Sequence, residues 1–82
     1  MTIEAVFDSS FITEEMRSGV YELPDGSTVS DFIKLAQRES GYTLSEDNID
    51  NCVFILNNKP VFYGAQLSDA GKLRVMYYIE GG

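Results

Sequence analysis

Histidine is absent from the 82-residue chain, and cysteine occurs once, at Cys52. The first absence removes the commonest general base, the commonest metal ligand and every Ser-His or Cys-His nucleophile. The second leaves no intrachain disulfide and too few ligands for a structural zinc site, so neither a metal nor a cofactor is expected. Basic residues are scarce too: 6 Lys and Arg stand against 13 Asp and Glu, a formal charge of −7. Phosphate backbones repel such a chain, which argues against nucleic-acid binding. A basic patch on a partner protein suits the acidic balance better; the plainer alternative is that the charge only keeps a small protein in solution. No apolar run approaches the roughly 20 residues of a membrane span. Met1 to Phe7 has no basic region and no long apolar region, so no signal peptide is expected and the cytoplasm is the expected location. A chain of this length is one domain, and domains this small bury only about 60–65% of their unfolded surface. That leaves little room for a deep catalytic cavity beside a core.

What is present reads as alternating strands around one helix. In residues 2–7, Ile3, Ala5 and Phe7 fall on one side, the pattern of a half-buried strand. Residues 8–18 break it as a loop. Residues 20–23 form a second short strand, with Tyr21 and Leu23 inward, stopped by the turn Pro24-Asp25-Gly26. Thr28 then starts a helix: its hydroxyl can cap the amide of Asp31, whose charge suits the positive helix end. Val29, Phe32, Ile33 and Ala36 make one apolar stripe at i, i+3, i+4 and i+7. Arg38 near the end and Gly41 as left-handed stop limit the helix to residues 29–39. Residues 42–51 are polar and are expected to be an irregular loop. Residues 52–56 are a strand with apolar residues on both faces, 57–59 a turn, and 60–63 a short strand that Pro60 confines to an edge or to a strand's first position. Leu67 anchors the loop 64–71, and residues 72–79 form the last and longest strand. One helix on one face of a mixed sheet of about five strands is a two-layer α+β answer.

The chain ends in Gly81-Gly82. Two terminal glycines arise by chance about once in 200 chains, so the pair alone is a weak signal. Its position directly after a strand is what matters. Glycine has no side chain and tolerates φ of either sign, so such a tail can pass extended through a narrow channel into another protein's active site. A carboxylate delivered there can be activated as an acyl-adenylate, which then accepts sulfur or an amine. The plain alternative is a frayed or appended end.

The stretch from Cys52 to Gly82 resembles the MoaD/ThiS family of sulfur carriers. The resemblance rests on a strand ending at Leu56-Asn57, a tight turn and short strand, then Leu67-Ser68-Asp69-Ala70-Gly71, and a hydrophobic strand leading into Gly81-Gly82. Leu23-Pro24-Asp25-Gly26-Ser27-Thr28-Val29 is similar to the family's second strand and helix start. Two places depart from the pattern: Asp-Ala-Gly-Lys precedes the last strand where many members have Asp-Gly-Asp, and Tyr77-Tyr78-Ile79-Glu80 replaces the Pro-Pro pair common in the molybdopterin-synthase subunit. The resemblance implies a β-grasp, ubiquitin-like domain over residues 1–80 with a flexible tail at 81–82. It implies a carrier rather than an enzyme, with Gly82 adenylated by an ATP-using, ubiquitin-activating-like enzyme and converted to a thiocarboxylate for molybdopterin- or thiamin-type cofactor biosynthesis. A synthase large subunit or a sulfur-acceptor enzyme would be the second partner. A protein modifier joined through Gly82 to lysines, and a plain interaction module, remain open alternatives.

Other residues carry weaker signals. If Phe54, Leu56, Leu73 and Val75 face the helix, then Val53, Ile55, Arg74, Met76 and Tyr78 face away from it, beside the tail. They are expected to form an apolar, partner-binding face with one charge; scattered surface hydrophobics are the bland reading. Cys52 reads as an inert core thiol, since no basic neighbour would lower its pKa. Glu14 and Glu15, and Glu46, Asp47 and Asp50, fit no metal loop and read as solvated.

Overall fold

The structure, a computed structural model, describes residues 1–8 and 15–77. Among these the elements run β1 (Thr2–Phe7), β2 (Gly19–Glu22), α1 (Val29–Ser40), α2 (Glu46–Asp50), β3 (Cys52–Leu56), β4 (Lys59–Val61) and β5 (Gly71–Tyr77). The fold is a β-grasp: one five-stranded mixed sheet in the order β2-β1-β5-β3-β4, covered on one face by α1. β1 pairs antiparallel with β2 and parallel with β5, while β3 pairs antiparallel with both β4 and β5. β1 and β5 are therefore the central strands, with ladders on both sides.

α1 forms where its caps and its stripe agree. Thr28 is extended, its hydroxyl accepts from the Asp31 amide at 3.2 Å, and the Asp31 carboxylate accepts from the Thr28 amide at 2.9 Å. Two further amides of the first turn, which no helical carbonyl can satisfy, donate to the loop after β4: Val29 to the Ala65 carbonyl and Ser30 to that of Tyr63, both at 2.9 Å. Gly41 ends the helix at φ 73°, donating to the Gln37 carbonyl at 2.9 Å. Between these ends Val29, Phe32, Ile33 and Ala36 are wholly buried against Ile3, Ala5, Tyr21, Leu23, Phe54, Leu73 and Val75. Phe32 sits at the centre, edge-on to Tyr21 at 4.9 Å and stacked with Phe7 at 5.9 Å. Each large side chain so covered stabilises the fold by about 1.5–3 kcal/mol before conformational entropy is counted.

Five expectations change. α1 runs one residue past the expected 29–39, to Ser40. The polar stretch 42–51 is not wholly irregular: residues Glu46–Asp50 form α2, capped reciprocally by Ser45 and Asn48. Five residues span barely more than one turn, too short to show an apolar period, and α2 has no buried residue. Its caps, with Glu46 and Asp47 at the positive end, carry it instead. β2 is displaced by one residue to Gly19–Glu22. β4 covers only Lys59–Val61, because Asn57 and Asn58 turn the chain with φ of 50° and 68°. Positive φ at both central residues belongs to the two-residue hairpin turn whose twist matches the strands, so the strand resumes at Lys59. The last strand begins at Gly71 and is described as far as Tyr77.

Candidate partner-docking face

With α1 on one side, the other side of the sheet has no covering element among the described residues. Register decides what lies there. Val53 stands opposite Met76 and Ile55 opposite Arg74 across β3 and β5. Phe54 and Leu56, opposite Val75 and Leu73, take the helix side; Phe54, Leu73 and Val75 are buried and Leu56 packs on the core. The expected division of these strands into two faces is the observed one. Val53 and Arg74 are exposed, and Ile55 and Met76 half-buried. Tyr78, Gly81 and Gly82 lie outside the described residues.

The parallel pairing of β1 with β5 extends this face in a direction the linear sequence did not suggest. Val6 stands opposite Arg74 and Glu4 opposite Lys72; Val20 of β2 stands opposite Glu4. Val6 and Val20 are 46% and 59% exposed, high for valines in strands. A signal existed for Val6, an apolar residue at an outward position of β1, but only the sheet order puts it beside Arg74. A shallow hollow lined by Glu4, Val6, Ile55, Lys72 and Arg74 marks the middle of the face. At the sheet edge, Phe62 follows β4 and is 75% exposed, its ring beside Gly64. That is a large apolar group the sequence reading placed inside a strand.

The electrostatics of the face centre on Arg74, whose guanidinium donates to the Asp8 carboxylate. Asp8 is itself held at the end of β1 by its amide, which donates to the Val75 carbonyl at 2.9 Å. Below Arg74, the start of β5 is tied to the β3–β4 turn: the Asn57 side-chain oxygen accepts from the Lys72 amide at 3.0 Å, and the Asn57 amide donates to the Lys72 carbonyl at 2.9 Å. At its other end Tyr77 pairs with Cys52, and its hydroxyl accepts from the Asn48 side chain of α2 at 3.3 Å. β5 is thus anchored near its start and again at Tyr77.

Cys52 and Tyr21, whose pKa values burial raises, pack with the core on the helix side rather than on this face. Cys52 is half-buried, its thiol donates to the Asn48 carbonyl at 3.3 Å, and burial pushes its pKa up to about 11. A thiol so disposed is a poor nucleophile. Burial also raises the Tyr21 pKa, partly opposed by Arg17, whose guanidinium lies over the ring at 4.5 Å. Among the described residues no group of three His, Cys, Asp or Glu side chains could hold a metal ion, and no helix is long and apolar enough to cross a membrane.

No family model matches the sequence, and no curated protein matches it. Solved structures share its fold. The putative molybdopterin converting factor, subunit 1, from Pyrococcus furiosus is 18% identical, with a TM-score of 0.72 over 95% of this chain and 98% of its own. SAMP1 from Haloferax volcanii is 15% identical, with a TM-score of 0.72 over the full length of both chains.

Proposed function

We propose that this chain is a cytoplasmic sulfur-carrier protein of cofactor biosynthesis, with residues 1–80 as the body and Gly81-Gly82 as the working tail. The observation that carries the reading is the end-to-end likeness of fold to the putative molybdopterin converting factor subunit 1 of Pyrococcus furiosus, in a chain whose sequence places Gly81-Gly82 shortly after the β5 residues. A face built of Val53, Ile55, Arg74, Met76 and Tyr78 docks an ATP-using, ubiquitin-activating-like enzyme. There the Gly82 carboxylate oxygen attacks the α-phosphorus of ATP and pyrophosphate leaves. A sulfide-level nucleophile then attacks the acyl carbon, AMP leaves, and a thiocarboxylate remains. That sulfur passes to an acceptor, in a synthase large subunit or a separate acceptor enzyme, and hydrolysis restores the carboxylate. No side chain of this chain takes a proton or forms a bond in the scheme, which makes the chain a carrier rather than an enzyme. The absence of histidine and the raised Cys52 pKa support that assignment.

The test is intact mass after incubation with the adenylating enzyme of the same genome, ATP and sulfide. Exchange of one oxygen for sulfur is the expected result. Lysine-linked conjugates with other proteins would make the chain a modifier instead, and no ATP-dependent change would leave an interaction module. Deleting Gly82, appending a residue after it, or Gly81→Val should each abolish activation while leaving thermal unfolding unchanged. Wild-type activation of the extended, untrimmed chain would refute the reading.

A further inference from the structure

Resting on the docking face just proposed, we infer the chemistry of the surface that fits it: an apolar protein surface presenting a single carboxylate, which takes Arg74 away from Asp8. Three observations carry this. First, Lys72 and Arg74 lie at the centre of a face on a chain of formal charge −7 with 6 basic residues in all. Second, Arg74 stands between Val6 on β1 and Ile55 on β3, with Val53 and Met76 the next pair along. A guanidinium framed by apolar side chains loses water when the face is covered, and then requires a planar, two-oxygen acceptor. Third, acids already border the cations: Glu4 stands opposite Lys72, and Asp8 holds Arg74. Those carboxylates and the overall charge repel a polyanion such as a nucleic-acid backbone, but leave room for one carboxylate set among apolar groups.

Asp8 is then a competitor. Its carboxylate is 16% exposed against 55% for Arg74, so the arginine projects from the surface while its acid sits lower at the edge of the face. Solvent reaches the guanidinium side of the pair and screens it in the free protein. A partner carboxylate that meets the guanidinium with both oxygens forms two charge-assisted hydrogen bonds, and that gain is what displaces Asp8. Partner docking exchanges one carboxylate for another, with the guanidinium held in place beforehand.

The experiment measures binding of the adenylating enzyme of the same genome by calorimetry, with thermal unfolding of every variant alongside. Asp8→Asn should bind roughly three- to tenfold tighter than wild type, because the competitor is gone. Arg74→Ala should bind at least tenfold weaker. In the Arg74→Ala background Asp8→Asn should change nothing, and that coupling separates exchange from a general charge effect. Asp8→Asn binding equally or more weakly, or with the same gain in both backgrounds, overturns the inference. If wild type binds and Met76→Glu abolishes binding while Asp8→Asn gives no gain, the docking face stands and the exchange falls. If wild type shows no binding at all, both fall.

Discussion

Exchanging Gly71 for alanine adds one methyl group at the start of β5, in a place with no room for it. A Cβ there would stand 2.8 Å from the Ser68 carbonyl oxygen, 3.2 Å from a Leu56 methyl and 3.5 Å from an Ile3 methyl. The leucine can shift by a few tenths of an ångström. The carbonyl cannot move freely, because it accepts from the Gly71 amide at 3.0 Å and closes the turn. Overpacking of this kind costs about 1–3 kcal/mol. Ala70, one residue earlier, has the opposite problem: it holds φ of 60°, a left-handed conformation that costs an L-residue about 1–2 kcal/mol. Ala70→Gly relieves that strain and loses about 0.4–1 kcal/mol to the greater freedom of the unfolded chain. The net is a gain of about 0.5–1 kcal/mol. For a domain of this size 1 kcal/mol moves the midpoint by about 4–8 °C. Gly71→Ala should therefore melt roughly 4–24 °C lower and Ala70→Gly a few degrees higher. Urea unfolding should shift its midpoint with an unchanged slope, which marks a stability change rather than an altered unfolded state. A Gly71→Ala protein as stable as wild type, or an Ala70→Gly protein less stable, would refute the reasoning about this turn.

Met76→Glu puts a charge opposite Val53 on the open face; it should cost under about 1 kcal/mol of stability but 2 kcal/mol or more of partner binding, and undiminished binding would dismiss the face. Cys52, with its pKa raised to about 11 from 9.0 by burial, should carry roughly a hundredfold less thiolate in the native state than when unfolded. Iodoacetamide at pH 8 should accordingly label it far more slowly without urea than with it. Asp31 has its pKa lowered, first by the Thr28 amide hydrogen bond. The folded state thus favours the carboxylate: its contribution is present above the ordinary value of 3.8 and lost as pH falls through the lower folded value. Asp31→Asn should reduce the acid-induced loss of stability below pH 4, and an identical acid limb in both proteins would discount the cap.

The parts legible in the sequence are those with a local cause. α1 needs only Thr28 and Asp31 three residues apart, four apolar residues at helical spacing, and Gly41 to turn left-handed. The two faces of β3 and β5 follow from strict alternation, which put Phe54, Leu73 and Val75 inward and Val53, Arg74 and Met76 outward. Other features depend on residues far apart in the chain. α2 is a single capped turn without an apolar stripe, and its link to β5 runs from Asn48 to Tyr77, 29 residues on. Asp8 meets Arg74 across 66 residues, and Val6 and Val20 join the open face only because β1 lies beside β5. Alternation assigns each side chain to a side of its own strand but says nothing about which strand is next. That choice was made by the tertiary structure, in which Ile3, Ala5, Leu73 and Val75 of the two central strands share one core with Phe32 and Ile33 of α1, and the composition of the opposite face followed from the strand order.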